Sequence, residues 1–286
     1  MCEPLRAGAG TGLERSCDWV RQAPPAPGLE RIEAYFARHA YDPHRHDTYA
    51  LGVTLSGVQS FDYRGARCDS QHGDVIVLHP DEAHDGRSGG EDGFRYRMLY
   101  VEPRLILEAL GETAALPFVS DAVRADPRLL AALRLALGDL DHGLEPLERD
   151  RALAAIAMAL HAAEGSSPRR ASSATCSTAV ERARAFLNEH FDRTVASEEL
   201  EAVTGLDRYS LARHFRAQLG ASPYRYLIMR RLDRVRRGID AGESLAQAAA
   251  DSGFADQSHM TRQFKQAFGV SPGRWRALRR DAYSAA

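Results

Sequence analysis

Apolar and polar residues alternate with two different periods along the chain. Between Leu29 and Val101 the period is two. Ile32, Ala34 and Phe36 alternate with Glu33 and Tyr35, Leu51, Val53 and Leu55 share one strand face, and Phe94, Tyr96, Met98 and Tyr100 alternate with Arg95 and Arg97. Phe61 and Tyr63 run into an Arg64-Gly65 turn, Val75 to Leu78 is wholly apolar, and Gly52, Gly57, Gly65, Gly73 and Gly93 punctuate the runs. Short strands at this spacing predict a small β-barrel or sandwich. After Asp126-Pro127 the period becomes helical, with Leu129, Leu130, Leu133 and Leu137 on one face. A second helix, from about Pro146 to Glu164, carries Leu147, Leu153, Ile156 and Leu160 on one side. Its Ala-rich stretch would let another helix approach closely. The pair is expected to cover a barrel edge or to form a dimer seam.

Gly165 to Ser177, GSSPRRASSATCS, has no hydrophobic period and reads as a flexible linker. It separates a β-rich domain, 1–165, from a helical one, 178–286. In the second a segment occurs twice, from Leu200 to Leu227 and from Ala246 to Leu278. Gly205 matches Gly253 48 residues on, and Arg213, Phe215 and Ser222-Pro223 match Arg262, Phe264 and Ser271-Pro272 49 residues on. Such self-similarity marks a repeated unit. Each copy predicts helix, tight turn, helix, at about 197–218 and 245–268. Ser197, Asp207 and Ser244 are expected to cap helices. Gly205 and Gly253 supply the positive φ of the turns. Leu211, Phe215 and Leu219 face the core, as do Met260, Phe264 and Phe268. A basic helix after Pro223, with Arg225, Arg230, Arg231, Arg234, Arg236 and Arg237, joins the units and is expected to hold them rigidly apart.

Charge sharpens this division. The 286 residues sum to −2, yet residues 1–165 carry 17 Arg against 26 Asp and Glu, a net −9, and residues 166–286 carry a net +7. A basic helical half suggests a polyanion as partner. In a helix-turn-helix the second helix enters the major groove and reads bases from its exposed face. Opposite the apolar stripes stand Arg208, Tyr209, Arg213 and Arg216 in the first copy, and Gln257, Ser258, His259, Arg262 and Lys265 in the second. Arg suits guanine and Gln suits adenine, both bidentately. If both helices read one face of DNA, they reach successive grooves about 34 Å apart.

Four widely spaced cysteines, without a CxxC pair, argue against a zinc knuckle or disulfide framework and fit a reducing cytoplasm. No run is long enough for a membrane helix, and the first dozen residues lack a signal peptide's apolar region. In the β-rich half, His44-Arg45-His46 precedes a strand. Gly73-Asp74 then leads through an apolar strand to His79-Pro80-Asp81-Glu82-Ala83-His84.

This arrangement resembles the two motifs of the cupin barrel, an HxH and a GD-strand-P-x-x-x-H. The resemblance implies a pocket bearing His44, His46 and His84, which in metal-binding cupins hold a divalent ion with a carboxylate. Three imidazoles suit zinc, nickel or iron. The expected Glu is missing, for Ala50 and Leu51 stand there, and Asp47 or Glu82 would have to replace it. His44, His46, Glu82 and His84 are therefore read as ligand-binding, no cofactor is expected, and metal at the three histidines is the alternative.

The C-terminal repeat resembles the DNA-binding domain of the AraC/XylS transcriptional regulators. Its second unit, GFADQSHMTRQFKQAFGVSPGRWR, carries that family's G-F, S, R-x-F-K, G-x-S-P and final aromatic before Arg. The first fits through R-x-F-R, G-x-S-P and Y-x-x-x-x-R-R, but has Ala212 where many relatives are polar. The resemblance covers about residues 29–280. It implies a bacterial regulator, often an activator contacting RNA polymerase, whose cupin-like domain binds a small molecule and often dimerises. It implies base reading by Tyr209, Arg213, Ser258, His259 and Arg262, with Arg216 and Lys265 on phosphates. Two other readings stand beside it. One is a metal-dependent cupin enzyme fused to a DNA-binding module, which the missing Glu disfavours. The other is a repair sensor, which would need a zinc-bound cysteine cluster that the spacing does not supply.

Overall fold

The computed structural model describes residues 18–111, 115–164 and 174–284, without the side chains of 174–176 and 280–284. In the first half, two antiparallel sheets face each other as a sandwich rather than closing into a barrel. The strands are β1 (Trp19–Gln22), β2 (Leu29–Phe36), β3 (His39–His44), β4 (Tyr49–Gly57), β5 (Gln59–Tyr63), β6 (Ala66–Ser70), β7 (Val75–Leu78), β8 (His84–Ser88), β9 (Phe94–Val101) and β10 (Val123–Arg124). One sheet runs β1-β2-β9-β4-β7-β10 and the other β3-β8-β5-β6. Arg64 and Gly65 both adopt positive φ, 51° and 78°, as a two-residue hairpin turn between twisted strands requires.

The wholly apolar run of β7 has a structural cause. Ile76 and Leu78 point between the sheets, beside Ile32, Phe36, Phe61, Phe94 and Tyr96. Val75 and Val77 point the other way, onto a helical layer. That layer is α1 (Pro103–Leu110), α2 (Pro127–Leu137) and α3 (Pro146–Ala163), whose Leu129, Leu133, Leu153, Ile156 and Leu160 cover the six-stranded sheet. The expected helix pair thus covers a sheet. Arg31, 2% exposed, donates to the carbonyls of Ala136, Asp139 and His142 and closes the end of α2.

Most of the expected linker, 165–173, lies outside the described residues. Its last four residues belong to α4 (Ala174–Glu189), so the helical half begins earlier than its composition indicates. Then follow α5 (Ser197–Thr204), α6 (Arg208–Leu219), α7 (Pro223–Asp240), α8 (Leu245–Ala250), α9 (Gln257–Phe268) and α10 (Pro272–Ser284). Asp207 caps α6, accepting from the amides of Tyr209 and Ser210, and Ser222 and Ser244 cap α7 and α8. Ser197 does not cap α5. It is the first helical residue, and the Glu199 carboxylate closes that end by accepting from the Ala196 amide at 2.8 Å. Gly205 and Gly253 sit at φ of 71° and 72° in the turns.

Each unit has its own core. Val180, Leu187, Leu200, Leu211, Phe215 and Leu219 form the first, and Ala248, Phe254, Met260, Phe264 and Trp275 the second. α7 belongs to both, through Tyr226 and Leu227 to the first and Ile228 to Ile239 to the second. Sharing one helix between two packed cores fixes the separation of α6 and α9.

Candidate DNA-reading surface and interdomain cavity

The candidate reading face follows from the burial of the opposite one. Leu211, Phe215 and Leu219 of α6, and Met260, Phe264 and Ala267 of α9, are buried, which turns Tyr209, Arg213, Gln257, Ser258 and Arg262 to solvent. Tyr209 is 76% exposed. Arg213 donates to Ser210 Oγ at 3.1 Å. His259 is half-buried, its ring edge-on to Phe254. Arg208 is already engaged: its guanidinium meets Glu201 at 2.9 Å and Glu198 at 2.8 Å, tying α6 to α5. Arg216 and Lys265 are exposed, yet each meets a carboxylate of the other domain, Asp81 at 3.2 Å and Asp42 at 2.8 Å.

Those pairs belong to a wider seam. Arg230 meets Asp47 at 2.9 Å and Glu102 at 3.5 Å, Arg236 meets Glu30 at 2.5 Å, and Arg274 meets Asp18 at 2.8 Å. The basic half therefore has, as one polyanionic partner, the acidic half of its own chain. α10 packs on β1, with Leu278 joining the core that contains Val20.

A cavity of about 1050 Å³ opens within this seam. The sandwich contributes Tyr41, His44, His46 and Tyr100, and the helical domain contributes Met229, Arg230, Asp233, Arg236, Phe268 and Trp275. His84 stands behind the wall, its ring 4.3 Å from that of His44 and 4.9 Å from that of His46. Each Nδ1 faces a backbone carbonyl, that of His44 the Asp42 carbonyl, that of His46 the Thr48 carbonyl and that of His84 the Glu82 carbonyl. A carbonyl can only accept, so each Nδ1 carries the proton and each Nε2 a bare lone pair. Burial, reinforced by the neighbouring imidazoles, pushes His44 and His46 well below the usual histidine range. Burial alone carries His84 down to about 4, against the opposing pull of its bond to the Glu82 carbonyl.

Sequence reasoning placed Glu82 with these histidines. The structure instead pairs it with Arg64 at 3.1 Å, away from the cavity wall. Asp47 is held by Arg230. No carboxylate therefore completes a cupin-type metal set, and among the described residues no three His, Cys, Asp or Glu side chains are disposed to hold a metal ion. The cavity residues from α7, α9 and α10 escaped the sequence reading. Arg230 and Arg236 read as part of a basic joining helix, and Phe268 and Trp275 as core and motif, because nothing local shows that α7 lies against β2 and the loop before β4.

A sandwich with a cavity, joined to two helix-turn-helix units that share a helix, defines a ligand-sensing DNA-binding regulator. The sequence profile of the AraC-like ligand-binding domain matches residues 26–173, and that of a helix-turn-helix domain matches residues 200–278. The chain belongs to the AraC family of transcription regulators. It is 26% identical over 240 residues to the uncharacterised HTH-type transcriptional regulator YbfI of Bacillus subtilis, covering 80% of this chain and 86% of YbfI. Over 89 residues it is 34% identical to the transcriptional activator RhaS of Klebsiella pneumoniae, 31% of this chain and 32% of RhaS. Among solved structures, ToxT of Vibrio cholerae shares the fold at a TM-score of 0.64 and 12% identity, over 88% of this chain and 98% of ToxT. ToxT bound to an unsaturated fatty acid aligns at 0.59, also at 12% identity, over 91% of this chain and 95% of ToxT. No described helix is long and apolar enough to cross a membrane.

Proposed function

We propose that the interdomain cavity is the effector site, and that occupancy there controls how Tyr209, Arg213, Gln257, Ser258, His259 and Arg262 meet base edges while Arg216 and Lys265 meet phosphates. The observation that carries this reading is the shared wall. His44 and His46 come from one domain and Arg230, Phe268 and Trp275 from the other, so a ligand between them biases the arrangement of the two. Coupling of this kind is typically about 1–3 kcal/mol.

The wall also speaks to ligand charge. Arg230 and Arg236 are already paired with Asp47 and Glu30. An organic anion like the fatty acid of ToxT would compete with these carboxylates for Arg230 or Arg236, or meet Arg237 on the same wall, whereas the imidazole lone pairs favour a ligand with hydroxyl or amide donors. The chain acts in the cytoplasm, where its DNA is, and as a regulator without enzymatic activity, in keeping with its named relatives. Dimerisation would use the outer face of α3, where Leu147, expected on the buried side, and Met158 are 83% and 60% exposed about three turns apart. Contact with RNA polymerase is inferred from the family alone.

Genome-wide footprinting would find the target genes, and a reporter on the strongest target would report the effector response. His46→Ala should keep the footprint and lose the response. An unchanged response would place the effector elsewhere.

A further inference from the structure

The seam repeats the symmetry of the two reading units. Arg216 and Lys265 stand at matching places, four residues before Gly220 and Gly269, the glycines that end α6 and α9. Each cation meets one carboxylate of the sandwich, Arg216 with Asp81 and Lys265 with Asp42. Each glycine is pressed against the same domain. A Cβ at Gly220 would stand 2.4 Å from Pro80 Cβ, and one at Gly269 would stand 2.8 Å from the Asp42 carbonyl oxygen. The Asp42 and Arg45 amides also donate to the Gly269 and Gln266 carbonyls, at 2.9 and 3.0 Å, closing the end of α9.

We propose that these contacts form an autoinhibitory latch in which Asp42 and Asp81 occupy the two phosphate-binding cations, so that the sandwich competes with DNA for the same side chains. The proposal rests on the reading of Arg216 and Lys265 as phosphate contacts. A carboxylate and a phosphate oxygen are equivalent acceptors for a guanidinium or ammonium. The sandwich also lies against the C-terminal ends of both helices, at Gly220 and Gly269. The latch is tied to the cavity through one strand: β3 presents Tyr41 and His44 to the cavity and Asp42 to α9. A ligand that shifts β3 therefore shifts the Asp42–Lys265 half of the latch. Arg216 and Lys265 are 63% and 56% exposed, so each pair is weak and salt-screened, and the latch biases the equilibrium rather than blocking it.

The test is an anisotropy titration of the full chain with a random-sequence duplex at low salt, which reads phosphate contacts without knowledge of the operator. Asp42→Asn with Asp81→Asn should bind roughly 3–10-fold tighter than the unmodified chain. Asp62→Asn with Asp69→Asn removes the same charge from carboxylates that pair within the sandwich, and should gain much less. Gly269→Asn keeps a residue that tolerates the left-handed helix end while placing a side chain against Asp42, and should also tighten binding. Equal gains in the two double variants, or no gain in the first with Gly269→Asn also unchanged, would overturn the latch while leaving the DNA reading intact. Failure of the unmodified chain and all variants to bind duplex would overturn both.

Discussion

Replacing Arg230 with Met tests how the two domains are held together. The guanidinium lies 2.9 Å from Asp47, 3.3 Å from Asp233 and 3.5 Å from Glu102. Burial acts to lower its pKa, but the carboxylates, Asp233 and Asp47 foremost, more than offset this, and the net shift is upward. The side chains of Arg230 and Asp47 are 19% and 6% exposed. Breaking a buried pair by removing one partner costs about 3–5 kcal/mol, because the other charge is left stranded. Asp233 and Glu102 keep 29% and 26% of their exposure, so water reaches part of the cluster and the lower end, about 3 kcal/mol, is expected. Removing both charges with Asp47→Asn strands less, and the double variant should recover about 2 kcal/mol of that loss in a mutant cycle. Urea unfolding followed by fluorescence of Trp275, on the same cavity wall, measures it. The pH dependence has a definite sign. Burial already raises the Asp233 carboxyl. Without Arg230 it rises further, and a carboxyl with a raised native pKa binds more protons folded than unfolded, so stability increases as pH falls. The deficit of Arg230→Met should therefore shrink between pH 7 and pH 5. A deficit under about 0.5 kcal/mol, the range of neutral surface changes, or one that grows in acid, would refute the reasoning.

Acid should weaken the sandwich through its histidines. His84 has a native pKa of about 4 against about 6.5 unfolded, so its contribution is lost as pH falls through that window, by up to about 3 kcal/mol; thermal melts from pH 7 to 4 should show a smaller loss in His84→Gln. Arg213→Ala and Arg262→Ala should each relax base preference, at positions about 10 base pairs apart in a randomised-site selection; relaxation of the same base pair would show that one unit alone reads DNA. Leu147→Glu with Met158→Glu should lower the sedimentation mass of a dimer to that of a monomer without lowering the melting temperature; an unchanged dimer would move the seam off α3.

Much of the fold was legible because its causes are local. The period-two runs became the sandwich strands, and Arg64-Gly65 became the expected tight turn. Asp207, Ser222 and Ser244 became caps because a short polar side chain beside orphan amides has few other uses. The failures have physical reasons too. Ser197 was displaced by one residue because Glu199 reaches back to the Ala196 amide, a geometry that serves equally well. α4 starts inside a Ser-rich stretch because Val180, Ala183 and Leu187, further along, anchor it to the first helix-turn-helix core. Arg31 stands on a polar position of β2, and only the last turn of α2 and the segment after it, above that sheet, supply its three acceptors.

The candidate site divides along the same line. The amino-acid order alone marks two helix-turn-helix units, their candidate reading residues and the three histidines of the sandwich. The units depend on helical period, turn glycines and a repeat, and the histidines on a motif resemblance, all contained within a few dozen residues. Tertiary structure alone decides which charges are free. Arg208 is tied to Glu198 and Glu201, Glu82 turns to Arg64, and Arg216 and Lys265 lie against carboxylates well over a hundred residues away in the chain. The cavity likewise exists only where β1, β2, β3 and β9 meet α7, α9 and α10. Hydrophobic periodicity records which face of an element is buried. Electrostatic pairing depends on distances between elements, which no local pattern records.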